Sequence, residues 1–198
     1  MRYSETHKAE THARLLKLAG RTLRERGPDG LAVADLMATA GLTHGGFYAH
    51  FKSKDVLLTE ALECIFEESR QKLSKTMQGM PPREALRYYI DTYVSPLHRD
   101  KSGSGCPVVA LTSDLPRQSR NFRMVFNAGV QLLVADLARW ISAAGIADGE
   151  DLAPSMVAAM AGAVAVSRAV SDKRLSDEFL AATRESIKAR LGLSDTES

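Results

Sequence analysis

The segment Thr43-His44-Gly45-Gly46-Phe47-Tyr48-Ala49-His50-Phe51-Lys52-Ser53-Lys54 constrains the fold more than any other part of the chain. Just upstream, Val33, Leu36, Met37 and Ala40 recur at the i, i+3, i+4, i+7 spacing of a short amphipathic helix. Gly41 ends that helix, since glycine adopts the left-handed backbone that closes one helix and turns the chain. Thr43 then stands where a cap for a second helix is needed. Two short helices joined by a Gly-containing turn form a helix-turn-helix. Ala32, at the start of the first helix, has no side-chain oxygen to cap it, a deficit of about 1 kcal/mol.

At about 100° per residue, Phe47 and Phe51 fall on one side of the second helix and face a core. Gly45, Gly46 and Ala49 point the other way, leaving a face with almost no side chains. Such a backbone can lie close to another surface, such as the floor of a DNA major groove. Tyr48 and His50 flank that face, and His44 sits in the first turn, where helix-turn-helix proteins reach base edges. A plainer reading is a helical hairpin with a buried Phe pair, in which His50 is only a solvated flank.

Phe47-Tyr48-x-x-Phe51-x-Ser53-Lys54, preceded by Ala40-Gly41-Leu42-Thr43, closely resembles the DNA-binding signature of the TetR/AcrR family of bacterial one-component repressors. The resemblance is specific over about residues 10 to 62. It implies that Thr43, His44, Gly45, Tyr48 and His50 meet DNA, and that Lys54 holds a phosphate near the next helix N-terminus. The chain departs from the family pattern at Ala32, where relatives often carry Ser or Thr. It departs again at His44, where they often carry a basic residue, and at Gly46, where they often carry a hydroxyl.

A chain of 198 residues, 44% of them hydrophobic, is long enough for one large or two small cores. No uninterrupted apolar run reaches bilayer-spanning length, and Met1-Arg2-Tyr3-Ser4-Glu5 lacks a hydrophobic signal region, so no membrane association is expected. Two cysteines without a disulfide-like framework fit a reducing cytoplasmic compartment. The net charge is +2, but residues 1–54 hold nine Lys/Arg against five Asp/Glu. The positive excess therefore sits on the helix-turn-helix end, as phosphate contact requires.

Periodicity places a first helix from near Glu5 to Arg26, packed across the motif to complete a three-helix head. Ser53 caps a connector helix that carries Val56, Leu57, Ala61, Leu62, Ile65 and Phe66 and ends at Gly79-Met80-Pro81-Pro82. Further helices are expected over 83–94, 108–115, 119–144, 151–171 and 177–191, with 119–144 central and 194–198 disordered. The fold class is all-α: a three-helix head over 1–52 and a larger ligand-binding and dimerisation domain over 53–198. The stretch from Met156 to Val166 is rich in small residues that admit a close helix neighbour, and the family resemblance makes the last two helices the homodimer interface.

Phe66, Tyr89, Tyr93, Met124 and Phe126, with Tyr88 and Trp140, are candidates to line an apolar ligand pocket, tyrosine hydroxyls orienting the ligand. Each is more simply read as core, since a Met or aromatic at helical spacing is more often core than pocket. Cys106 precedes Pro107 and so falls at a helix N-cap, where the helix dipole and free N–H groups favour a thiolate. His98, Arg99 and Lys101 lie just upstream and are expected to add positive charge. Cys106 is thus a candidate both for the pocket and for oxidant or electrophile sensing, against the simpler reading of a buried small hydrophobe.

No Walker A loop, Gly-x-Ser-x-Gly elbow, His-Glu-x-x-His or Cys-x-x-Cys is present, so neither an enzyme nor a cofactor or metal is expected. The expectation is a dimeric repressor that binds a pseudo-palindromic double-stranded DNA operator and is released by a small-molecule effector. The alternatives are a thiol-based sensor acting through Cys106 and a helical interaction module without operator specificity.

Overall fold

The computed structural model describes residues 2–194, with side chains from Glu5 onward. The α-helices are α1 (Arg2–Arg26), α2 (Val33–Thr39), α3 (Lys54–Met77), α4 (Pro82–Tyr93), α5 (Pro96–Asp100), α6 (Pro107–Leu111), α7 (Arg120–Ala143), α8 (Gly149–Ala169) and α9 (Lys173–Arg190). Short 3₁₀ turns occupy His44–Ala49, Ser102–Ser104 and Leu115–Arg117. The architecture is all-α, with the helix-turn-helix at one end and a larger helical body at the other.

Local chemistry explains the differences from the sequence-based boundaries. The helix expected over 108–115 splits into α6 and a 3₁₀ turn: Pro116 lacks the N–H that would extend the α-helical ladder, and it sits instead near the start of the 3₁₀ turn, where no N–H is needed. α9 starts four residues early because the Asp172 carboxylate accepts from the N–H groups of Arg174 and Leu175. α5 was not anticipated, although Ser95 caps it and Pro96 opens it. Of the tail expected to be disordered, 195–198 lie outside the described residues.

Two buried clusters share the connector. The first joins Leu15, Leu23, Met37, Phe47, Phe51, Leu57 and Leu62 of the head to Ile65 and Phe66, then to Leu111 and Phe122 of the body. The second is built on Leu86, Ile90, Leu137, Ile141, Met160, Val164 and Ile187, and takes Met77 from the far end of α3. Each such side chain contributes roughly 1.5–3 kcal/mol on burial. α3 is therefore a structural member of both cores.

α7 is central, packing against α8, α3 and α4. By length and composition α7 and α8 are each apolar enough to cross a bilayer, yet they pack on one another and supply the body core. α5 is fastened from two sides. The buried Arg99 guanidinium donates to Asp100 (2.7 Å), Ser176 (2.8 Å) and Asp177 (2.5 Å), while Arg168 of α8 donates to the carbonyls of His98 and Arg99.

α3 meets α7 where Phe66 lies against the buried Gly129, and any Cβ at 129 would collide with the Phe66 ring. The ring also packs edge-on against Phe126, centroids 6.0 Å apart. Gly129→Ala is expected to destabilise the protein by about 1–3 kcal/mol by forcing Phe66 and the upper half of α3 to shift. Thermal unfolding checks this, and an unchanged midpoint would contradict the close approach.

Candidate nucleic-acid interface and cavity

In the head, the side chain of Arg14 on α1 donates to the Ala40 carbonyl at 2.9 Å, closing the end of α2. Gly41 follows with φ +69°, the left-handed turn read from the sequence. The second motif helix is tighter than expected: His44–Ala49 is 3₁₀, with Gly46 N–H bonded to Thr43 O and His50 N–H to Phe47 O. Two glycines in a six-residue helix weaken the α-form, and 3₁₀ pairing is common in pieces this short. Thr43 stands at the cap position but makes no side-chain cap bond, and a Cβ on Gly46 would lie 3.6 Å from its hydroxyl.

Phe47 and Phe51 are buried, and the opposite side is bare. A Cβ added at Gly45 would meet nothing within 4 Å. Thr43, His44 and Ala49 are exposed beside it, and Tyr48 is 70% exposed, stacked edge-on against Phe47. Lys54 is the first residue of α3, whose N-terminus Ser53 caps by accepting from Val56 N–H at 3.2 Å.

His50 behaves differently from its neighbours. Its ring lies 6.3 Å from that of His12 on α1, and its Nδ1 is buried without a partner. His12 itself stacks on Phe51 and pairs with Glu60 at 2.9 Å. Burial, and then the neighbouring His12 and Lys8, hold the His50 imidazole below its ordinary value. His50 thus lies in the seam between α1 and the recognition turn, an arrangement that depends on a neighbour far away in sequence.

In the body, a cavity of about 380 Å³ lies between α3, α4, α7 and the loop that leads into α6. Phe66, Tyr89, Tyr93, Leu133 and Trp140 form its apolar walls, and exposed Tyr88, Leu97 and Lys101 lie at its edge. Of the eight pocket candidates named from the sequence, Phe66, Tyr88, Tyr89, Tyr93, Cys106 and Trp140 line it. Met124 is 59% exposed on the outside of α7, in a shallow groove with Val56 and Thr59. Phe126 backs Phe66 without reaching the cavity. Periodicity assigned both to α7 correctly but gave no rotation for that helix.

The ionisable groups set into the two ends of the cavity wall, Asp136 and His98, are satisfied, while Lys72 and Lys101 of the lining are exposed. At one end Arg70 donates to Asp136 at 2.8 Å, and Arg139 also pairs with Asp136. Burial pushes the Asp136 carboxyl up, but the two guanidiniums more than offset this and hold it below the usual carboxylate range. At the other end the His98 Nδ1 bonds the Tyr93 carbonyl at 2.7 Å, and its Nε2 accepts from Cys106 N–H at 2.9 Å. A carbonyl only accepts, so Nδ1 carries the proton and His98 is neutral. Burial holds it below its ordinary value, with Arg168 acting in the same sense. The positive charge expected from His98 beside Cys106 is therefore absent, and Arg99 is turned toward α9.

Burial pushes the Cys106 thiol up, and the opposing influences of Tyr93, the N–H groups of Val108 and Val109, and Arg168 do not reverse it. The N-cap position read from the sequence is occupied by Cys106, without a thiolate resulting.

The cavity is joined to the head by two routes. One is α3 with Phe66. The other is the loop before Cys106: Arg24 near the end of α1 donates to the Gly103 carbonyl at 2.7 Å, and a Cβ at Gly103 would collide with Glu25. Gly105 is held as closely, since a Cβ there would come within 2.9 Å of His98 Nε2 and 3.0 Å of the Arg168 guanidinium.

Residues 15–61 match the family profile for bacterial regulatory proteins of the tetR family, and residues 82–179 match the C-terminal domain of LmrA/YxaF-like transcriptional regulators. The chain belongs to the TetR/AcrR family of transcriptional regulators. Among curated members, the repressor DhaR of Mycobacterium sp. (strain GP1) is 33% identical over 84 residues, 41% of this chain and 40% of DhaR. The repressor NemR of Escherichia coli (strain K12) is 26% identical over 133 residues, 66% of each chain. The reduced form of E. coli NemR superposes with a TM-score of 0.79 at 21% identity, covering 91% of this chain and 96% of NemR. A transcriptional regulator from Saccharomonospora viridis, solved in complex with choline, gives 0.75 at 19% identity over 91% and 96% of the two chains. These likenesses show the fold to be that of TetR-family regulators, and the chain spans 40% to 66% of the length of the curated relatives named here.

Within this TetR-type body, His98 makes a pH prediction. Folded His50 and His98 bind protons less readily than the unfolded chain, whose imidazoles titrate near 6.5. Stability is therefore full above that value and falls as pH drops through it. Urea unfolding between pH 7.5 and 5.5 is expected to show this loss, and His98→Gln a shallower one. A parent chain equally stable at both pH values would contradict the assignment.

Proposed function

We propose that this chain is a homodimeric repressor that binds a pseudo-palindromic operator through its 3₁₀ recognition turn and is released when a small molecule occupies the cavity. The observation that carries this reading is the sharing of structure: the cavity walls include α3 and the 101–106 loop, and both are attached to the head. A ligand that favours a different set of α3 in the body shifts the spacing of the two heads away from that required by two half-sites. Repression agrees with the function named for DhaR and NemR.

Thr43, His44, Gly45 and Tyr48 form the base-facing surface in this reading, with Lys54 on a phosphate. His50 acts from behind by setting the turn against α1. Dimerisation through α8 and α9 is supported by Val166, Leu175 and Phe179, large apolar residues that remain exposed on those two helices. A symmetric pair places two heads on one duplex.

A gel shift on DNA upstream of its own gene, with excess unrelated duplex, tests the reading. A shift that survives competitor is expected, whereas a shift lost to competitor would leave a helical module without operator specificity. Tyr48→Ala is expected to cost roughly 1–3 kcal/mol of specific binding, and an unchanged affinity would remove Tyr48 from the interface. Lys54→Ala is expected to reduce the salt slope by about one. A slope that does not move would remove the phosphate contact.

A thiol-sensing mechanism is the second reading, favoured by Cys106 lining the cavity beside Tyr93 and by the fold shared with a NemR structure described by its reduced state. The raised thiol makes it the weaker one, because the thiolate is the reactive form. Mild oxidant is expected to leave operator binding intact on the timescale of the assay. Release from the parent but not from Cys106→Ser would reverse the order of the two readings.

A further inference from the structure

The buried hydroxyls of Tyr89 and Tyr93 have no hydrogen-bond partner. Both tyrosines line the cavity, and they are only 4% and 8% exposed. Leaving a buried donor unmet is costly, and native structures rarely do so without a functional cause. The two rings are in edge-to-face contact, centroids 5.7 Å apart, and Tyr89 packs in the same way on Trp140 at 5.0 Å. The polar atom that the Tyr93 hydroxyl faces is the Cys106 sulfur, and a thiol is so weak an acceptor that this contact leaves the hydroxyl proton available to a better one. No hydrogen bond joins either hydroxyl to Arg70, Asp136 or His98, although the Tyr93 ring packs edge-on against His98 at 4.8 Å.

Those charges decide what else a ligand can be. Asp136 is held by Arg70 and Arg139 and has no need of a cationic group. His98 is neutral with both ring nitrogens engaged, so it offers nothing to a carboxylate. Lys72 and Lys101, at the edge, are exposed and solvated. The walls between are aromatic and aliphatic.

We infer that the effector is an uncharged, largely apolar ring compound carrying hydrogen-bond acceptors of the ketone or ether type, read by the hydroxyl protons of Tyr89 and Tyr93. This rests on the ligand-responsive reading above for its regulatory meaning, though not for its chemistry. A quaternary ammonium gains from an aromatic cage but accepts no hydrogen bond, so it would leave both hydroxyls unmet. A carboxylate would accept, but it would have to be desolvated beside an Arg70 already committed to Asp136, with Lys72 and Lys101 held out in solvent.

The probes are four compounds of similar size: 4-chromanone, which has a ketone and a ring ether; naphthalene, which has neither; 2-naphthoate; and phenyltrimethylammonium. Binding to the full chain is measured by calorimetry, with emission of Trp140, the single tryptophan, reporting occupancy of the cavity. 4-Chromanone is expected to bind about tenfold or more tighter than naphthalene, the scale of one well-made buried hydrogen bond. Tyr89→Phe/Tyr93→Phe keeps both rings and is expected to bring the two affinities together, with naphthalene itself little changed. Three results would each overturn the inference: no 4-chromanone binding, tighter binding of either charged probe, or a preference untouched by the double variant. Operator release is scored separately. Binding with the expected preference but without DNA release would contradict the effector reading and leave the ligand chemistry standing.

Discussion

One helix packed into two cores holds the head and the body together, and the proposed regulation depends on it. The lower part of α3 carries Leu57, Ala61 and Leu62 into the head, Phe66 sits at the crossing with α7, and Met77 belongs to the body. Interiors are close-packed and transmit displacement, so the helix cannot be moved at one end while the other stays fixed. The contact of Phe66 with Gly129 is the tightest point of this path, because glycine there removes the atom that would hold the helices apart. The bond from Arg24 to Gly103 adds a second linkage, from the cavity loop to the end of α1.

The distribution of unmet polar groups follows the same division of labour. Among the described residues, the buried side-chain atoms without a partner are His50 Nδ1 and the hydroxyls of Tyr89 and Tyr93. One stands directly behind the recognition turn and two stand in the cavity wall. Elsewhere the buried polar groups are carefully satisfied, as with Arg99 against Asp100, Ser176 and Asp177. Locally unfavourable groups concentrated at the proposed DNA-facing turn and the proposed ligand cavity, with a well-bonded frame between them, fit the mechanism proposed above.

The head was legible in the sequence because its determinants are local: the apolar spacing of α2, Gly41 at its left-handed turn, the buried Phe47 and Phe51, and the Ser53 cap. What escaped was set by distant partners or by marginal local preference. The 3₁₀ form of His44–Ala49 reflects two glycines in a very short helix. The inward seat of His50 requires His12, thirty-eight residues earlier. In the body, helix identities followed from periodicity, but the rotation of α7 did not, so Asp136 reaches the cavity while Met124 faces outward. The neutral state of His98 could not be read from its proximity to Cys106, since it is set by the Tyr93 carbonyl and the Cys106 N–H. Neither bond has a signature in composition or spacing.

In the proposed mechanism, coupling between cavity and head acts in both directions, because a binding linkage is reciprocal. The most direct test is therefore to watch the cavity while DNA is added. Trp140 is the single tryptophan and lies in the cavity wall against Tyr89. Its emission should change on saturation with a competitor-resistant duplex from upstream of the gene, and remain unchanged with unrelated DNA. Tight, specific binding with no change at Trp140 would contradict the account, because the head would then engage its operator without the cavity being altered.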